Sequence, residues 1–340
     1  MTPRQAWLLV AAATQMDEGS MIGSSRMLLL IVVLVCGSAA APQGNACAAT
    51  DIQTKRVLLI GIDGVRSDAL KTADVPHLAT LIKGGAFADD TQILGQRFRG
   101  NETVSGTGWA SILTGVWADK HGVHDNDFAG NNFEQYPDFL RRLKQARPAA
   151  ATAAFTSYKL AHSIVTSADV LNMFPMFPPR RRSVAGYLNA DRQMAEAAAR
   201  HLTEANPSAV FVSFMLPDAV GHRSGFHPDV REYRQAIETI DGLVGSVLRA
   251  LRNRRTFARE NWLVLVTSDH GGKGTRHHGG HGDPEVLTVF LIMNGPAVRR
   301  GTIASPTYIV DPAVTALSHL NVDIDPAWGL DGKAVGLTKP

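Results

Sequence analysis

The sequence predicts one α/β domain with a largely parallel central sheet flanked by helices. Three observations carry this expectation. Apolar runs at residues 56–64 (RVLLIGIDG), 209–216 (AVFVSFML) and 262–266 (WLVLV) read as strands buried on both faces. Segments with helical spacing alternate with them along the chain, without an internal repeat or a dividing linker. Each run is followed by an acid: Asp63, Asp218 and Asp269. The C-terminal ends of parallel strands share one edge, which is where open α/β sheets bind their ligands, so these three carboxylates can converge.

The elements follow in order. Strand 56–64 ends in Asp63-Gly64, and residues 76–83 have helical spacing up to a Gly84-Gly85 stop. Residues 101–109 (NETVSGTGW) precede a short helical run. A helix start offers free backbone N–H groups and partial positive charge, which suits an anion, and Ser105 stands there; as an isolated serine it would read first as an N-cap. His121, His124, Asp125, Asn126 and Asp127 follow in a polar loop. A helix is expected over 137–145, a short strand over 152–156, and a Pro-rich, aromatic surface loop over 174–182 (FPMFPPRRR). The Ala-, Glu- and Arg-rich stretch 190–204 reads as a helix stopped by Asn206-Pro207.

After strand 209–216, Asp218 and His222 stand four apart, so one helical turn aims both at one point, while His227 reads as a surface residue. Residues 233–251 carry apolar positions at helical spacing and predict a long amphipathic helix. Strand 262–266 leads into TSDHGGKGTRHHGGHG, which brings Asp269, His270, His277, His278 and His281 close together. Asp and His with little else nearby are ligands suited to zinc or a similar divalent ion. A further strand is expected over 288–293, and Asp311-Pro312 open a helix to Leu320.

Composition narrows the class. The 340 residues are 45% hydrophobic and 19% charged, enough for a full core. The net charge of +3 comes from 34 basic and 31 acidic residues mixed along the chain, which argues against nucleic-acid recognition. The first 50 residues differ: residues 27–35 (MLLLIVVLV) follow Arg26 and precede small residues, too short to span a bilayer and laid out as a secretory signal. Residues 1–48 are therefore expected to be a signal peptide, starting at Met1, Met21 or Met27. Cleavage is expected at Ala46-Cys47-Ala48 or in the alanine run after Ser38. Residues 49–340 would form the functional domain, periplasmic or secreted. Both cysteines, Cys36 and Cys47, fall in or beside the signal, so the mature domain would have neither thiol nor disulfide. The bulky Val35 argues against lipidation at Cys36.

Taken together, LIGIDG at 59–64, SGTGWASILTG at 105–115, DKHGVHDNDF at 119–128, PDAVGH at 217–222 and TSDHGG at 267–272 resemble the alkaline phosphatase superfamily, and most closely its type I phosphodiesterase/nucleotide pyrophosphatase branch. The pieces appear in family order across nearly all of the mature chain. The resemblance implies a three-layer sandwich and two divalent ions, zinc by expectation. Asp63, Asp269 and His270 would hold one, next to the nucleophile Ser105. Asp218, His222 and a later histidine would hold the other. His278 is the expected third ligand, with His281 as rival and His277 in third place. Asn126 falls where the branch places an amide that binds a phosphoryl oxygen. An amide suits the single charge of a diester, whereas a monoester dianion is better served by a bidentate arginine, which these motifs lack.

The implied activity is hydrolysis of a phosphate diester or pyrophosphate, of small-molecule type, through a phosphoserine. A phosphomonoesterase or phosphonate hydrolase on the same scaffold is the alternative, and a non-catalytic secreted metal-binding module is the alternative of another class. Two departures stand out. His278 follows His270 by only eight positions, where nucleotide pyrophosphatases carry a long insertion, which implies a more open cleft. Ser105 is followed by Gly106, Thr107 and Gly108 rather than the Pro-x-Arg pattern of sulfatases.

Overall fold

The computed structural model describes residues 53–94, 100–156, 163–173 and 183–338. The expected signal peptide, both cysteines and the 174–182 loop lie outside them. No helix among the described residues is long and apolar enough to cross a membrane.

The core is an eight-stranded sheet, and its order is not the order of the chain. In chain order the strands are β1 (Thr54–Ile62), β2 (Ala86–Gln92), β3 (Thr152–Thr156), β4 (Val170–Met173), β5 (Ala209–Phe214), β6 (Glu260–Thr267), β7 (Thr288–Asn294) and β8 (Gly301–Thr302). In space they run β4-β3-β5-β1-β6-β7-β2-β8. All neighbours are parallel except where β7 pairs antiparallel with β6 and with β2. The expectation of a largely parallel sheet is met.

β1 lies at the centre, wholly buried from Val57 to Ile62, because each of its faces meets a separate apolar layer. Val57 and Leu59, with Phe211, Leu263 and Leu265, pack against Trp109, Ile112 and Leu113 of one helix and Ala313, Ala316 and Leu317 of another. Leu58 and Ile60, with Val210, Val212, Val264 and Val266, pack on the other side against Met194, Ala198 and Leu202 and against Ile237, Ile240 and Val244. Two-residue alternation thus turns a continuous apolar run into a strand serving two cores. The result is a three-layer α/β/α sandwich.

Helices form at Pro76–Gly84, Ser105–Thr114, Phe139–Ala146, Arg231–Arg252 and Asp311–His319, close to expectation. The helix expected over 190–204 begins earlier and spans Val184–Glu204, because the Ser183 side chain caps it by accepting from Gly186 N at 3.1 Å. Asp218 and His222 stand on a full helix, Leu216–Ser224. Its start is fixed by the buried Asp191, whose Oδ2 accepts from Met215 N at 3.0 Å and Leu216 N at 2.9 Å. β2 and β4 escaped the sequence reading. β2 (AFADDTQ) lacks a continuous apolar run, since Asp89 and Asp90 sit at an irregularity in its ladder with β7.

Candidate active site

Strand register builds the site. Gly61 of β1 lies opposite Thr267 of β6, so two residues further on Asp63 and Asp269 leave the sheet side by side. On the other flank Asp63 N donates to Phe214 O at 2.9 Å, which brings the helix carrying Asp218 to the same edge. The three carboxylates are buried. Asp63, Asp269 and His270 form one group whose ligand atoms lie within 4.8 Å of each other; Asp218, His270 and His277 form a second.

The imidazoles are oriented as ligands. His270 Nδ1 donates to Gly271 O at 2.9 Å, His277 Nδ1 to Thr103 O at 2.8 Å and His222 Nδ1 to Thr275 O at 3.0 Å. A carbonyl can only accept, so each Nδ1 carries a proton; burial keeps His270 and His277 neutral, and their Nε2 atoms present lone pairs. All three Nε2 atoms face the carboxylates. His270 Nε2 is 3.6 Å from Asp63 Oδ1 and 3.4 Å from Asp269 Oδ2. His222 Nε2 and His277 Nε2 lie 3.5 and 3.7 Å from Asp218 Oδ1, and 3.0 Å from each other. Imidazole nitrogens gathered this closely around one carboxylate oxygen are spaced as donors to a shared cation.

The carboxylates give the same answer. Asp218 Oδ1 and Asp269 Oδ2, one in each group, are buried and accept no hydrogen bond. Burial, then the neighbouring charges of Asp269 and Asp218, pushes the Asp63 carboxyl well above its ordinary range. Burial likewise raises Asp218 and Asp269, and lowers His270 to about 3 and His277 to about 2. Their ion partners among the described residues are imidazoles, not Lys or Arg. Three buried acids with the buried, neutral imidazoles of His270 and His277 and the exposed ring of His222 at the rim, and with one orphaned oxygen in each half, fit two divalent cations in an N/O environment.

Ser105 stands at the first turn of its helix with Oγ 3.4 Å from Asp63 Oδ1 and 3.2 Å from His270 Nε2. The helix approaches so closely because residue 108 is glycine: a Cβ there would stand 2.6 Å from the Asp269 carbonyl oxygen. Asn126 reaches the same helix start, its Oδ1 accepting from Gly106 N at 2.7 Å, which leaves its NH₂ as a donor. His121, expected in a polar loop, is instead buried beneath this helix, its Nε2 3.1 Å from Ser111 Oγ.

The sequence-expected residues therefore converge, with one correction. His278 is exposed and takes no part in the cluster; His277, ranked third, stands there in its place. Thr103 clamps residue 277 twice, accepting from the ring and donating from Oγ1 to the His277 carbonyl. The ring also stacks on His270, with centroids 3.8 Å apart and planes at 19°. With residue 277 turned inward and buried, its chain neighbour is left facing solvent. His281 turns away to the Asn101 carbonyl. Accordingly, His277→Ala is expected to lower bound zinc from two equivalents to about one, and His278→Ala to leave both, as read by metal analysis of dialysed protein. Trp109, not singled out in the sequence, also enters the site: its Nε1 donates to Asp63 Oδ2 at 3.0 Å.

Comparisons with known proteins agree with this geometry. Residues 57–287 match the family described as type I phosphodiesterase / nucleotide pyrophosphatase. The bis(5'-adenosyl)-triphosphatase enpp4 of Mus musculus is 24% identical over 265 residues, covering 72% of this chain and 52% of the relative. Human ectonucleotide pyrophosphatase/phosphodiesterase family member 7 is 22% identical over 253 residues, covering 71% and 53%. The chain thus spans about half the length of the curated relatives it matches. Among solved structures, murine ectonucleotide pyrophosphatase / phosphodiesterase 5 superposes with TM-score 0.57 at 15% identity, covering 79% of this chain and 95% of that one. A 2-O GAG sulfatase superposes with TM-score 0.64 at 14% identity, covering 82% and 73%. At such identities these structures establish the fold, which is alkaline phosphatase-like. The family match extends from the first residues of the central strand to the loop beyond the histidine cluster, and it encloses every residue brought together above; the chain belongs to the type I phosphodiesterase / nucleotide pyrophosphatase family.

Proposed function

We propose that this protein is an exported, metal-dependent hydrolase that cleaves phosphate diester or pyrophosphate bonds through a phosphoserine on Ser105. The observation that carries the reading is the position of Ser105 Oγ, buried at a helix start within 3.4 Å of Asp63 and His270. Asp63, Asp269 and His270 would hold one cation, and Asp218, His222 and His277 the other. Two such ions, zinc by the N/O donor set, supply Lewis-acid charge that lowers the pKa of the serine hydroxyl and draws charge from the phosphoryl oxygens.

The chain's own residues do the rest. Ser105 adds to phosphorus, and the P–O bond in line with it breaks, releasing an alcohol or a nucleotide. The partial positive charge of the helix start lies beside a phosphoryl group bound at Ser105, and the Asn126 NH₂, left over when its Oδ1 accepts from Gly106 N, donates to a non-bridging oxygen. Water then attacks phosphorus from the opposite side and breaks the bond to Ser105 Oγ, restoring the hydroxyl. The neutral Asn126, with no arginine in the ligand cluster, favours a singly charged diester over a monoester dianion. The names of the relatives, which include a bis(5'-adenosyl)-triphosphatase, support trying dinucleoside polyphosphates first. Residues 1–48 support export to the periplasm or beyond.

The decisive comparison is between bis(p-nitrophenyl) phosphate and p-nitrophenyl phosphate with zinc-loaded protein. A kcat/KM at least about tenfold higher for the diester is expected, equivalent to about 1.4 kcal/mol of transition-state preference. Faster monoester turnover would overturn the diesterase assignment. Removing the metal with a chelator should abolish both activities, and added zinc should restore them.

A further inference from the structure

We infer that Trp109 is a positioning residue for the first cation site: its indole N–H occupies one oxygen of Asp63 and so makes that carboxylate a one-oxygen ligand. The inference rests on the proposed metal-dependent function and concerns a residue outside the ligand set.

The two oxygens of Asp63 have separate neighbours. Oδ2 accepts from Trp109 Nε1 at 3.0 Å, whereas Oδ1 lies 3.4 Å from Ser105 Oγ and 3.6 Å from His270 Nε2. An indole N–H is a donor only, so the oxygen it engages is turned from the cation and the other is left to bind it. The carboxylate plane is fixed at the same stroke. Trp109 and Ser105 stand four residues apart on one helix, so the element that presents the nucleophile also aims the ligand beside it.

The indole has little freedom to leave this position. Trp109 is fully buried and meets Phe211 of β5 edge-on, with centroids 5.9 Å apart. It lies over β1 at Gly61, where a Cβ would fall 2.2 Å from the ring. The strand two residues before Asp63 therefore has no side chain, and the large ring fills that space. A tryptophan used only as core would need no polar partner beyond some acceptor. Here the acceptor is a buried carboxylate facing an imidazole and a hydroxyl. Outer partners of this kind hold a ligand's orientation, and losing one lowers metal affinity about 10–100-fold.

The test separates the donor from the ring. Residue 109 is replaced by β-(3-benzothienyl)alanine, which keeps the bicyclic shape and has sulfur in place of N–H, and in parallel by Trp109→Phe. Zinc affinity of each full-length protein is measured by competition with a chromophoric chelator, and folding by thermal melting. The expected result is affinity for one of the two zinc ions weakened about 10–100-fold in both variants. The second ion should bind as in the wild type, and kcat should recover to within a few-fold at saturating zinc. Wild-type affinity for both ions in the benzothienyl variant would overturn the inference and leave Trp109 as packing only, even if Trp109→Phe fails to fold. Should wild-type protein bind no zinc, the functional reading itself falls; should it bind two and lose turnover with Ser105→Ala while the benzothienyl variant binds normally, the positioning role alone falls.

Discussion

Ser105→Ala is expected to lower kcat by about 10⁴- to 10⁶-fold while both zinc ions stay bound, because it removes the attacking atom and none of the six charged or imidazole ligands. The buried Oγ lies between Asp63 and His270, and no other described hydroxyl is bonded to the side chain of either residue. What remains would be direct attack by water on a phosphoryl group still held by the cations, the helix start and Asn126. Ser105→Thr should retain activity within about 10²-fold, since either hydroxyl can attack and the cost is one misplaced methyl group. Steady-state rates with a nitrophenyl diester, alongside metal analysis of the same samples, check both statements. Unchanged turnover in Ser105→Ala would sink the phosphoserine mechanism, and metal bound without activity in the wild type would favour the secreted metal-binding module.

Glu260→Gln is expected to destabilise the domain by about 3–5 kcal/mol, far from the site and without touching it. Glu260 opens β6 and is 4% exposed. Arg254 grips it with two bonds of 2.8 Å, Arg56 of β1 approaches to 3.0 Å, and Trp262 Nε1 and Thr256 Oγ1 donate at 2.7 and 2.8 Å. One carboxylate thus answers two buried guanidinium groups, and the amide would leave both without a counter-charge. Thermal melting should show Tm lower by about 10 °C for a domain of this size.

The sign of the pH dependence follows from the carboxyl. Burial alone would raise it, but the bonds from Arg254, Trp262 and Thr256 and the charge of Arg56 outweigh burial and bring it down to about 2. A folded-state pKa below the unfolded one contributes stability that is complete above about pH 5 and is lost as pH falls toward 2. The wild type should therefore lose part of its stability across that window. In Glu260→Gln this contribution should be absent at every pH, and the acid limb correspondingly shallower. An identical acid limb in the two proteins would mean that Glu260 is not the group responsible.

The sequence by itself determined the sheet and most of the site. Continuous apolar runs closed by Asp63, Asp218 and Asp269 can be read as one converging edge, because parallel strands end on the same side whatever their order. The Gly/Ser/Thr segment before an apolar helical run marked a helix start at Ser105, and the family resemblance of the surrounding motifs singled that serine out. β2 was not legible: its Asp89 and Asp90 sit at an irregularity in the ladder with β7, so no run betrays it. The antiparallel direction of β7 was hidden too, because a buried strand has the same composition in either direction.

Only the tertiary structure decided which imidazole joins the carboxylates. His277 and His278 are neighbours of identical chemistry, and the choice falls to Thr103, 174 residues away, which clamps residue 277, and to His270, on which the ring stacks. The Trp109–Asp63 bond is of the same kind: it joins helix to strand across 46 residues and depends on the space left by Gly61. Spacing along the chain records which side chains can share a turn or a strand end. It does not record which of two adjacent side chains a distant carbonyl will orient, and that contact exists only once the layers have packed.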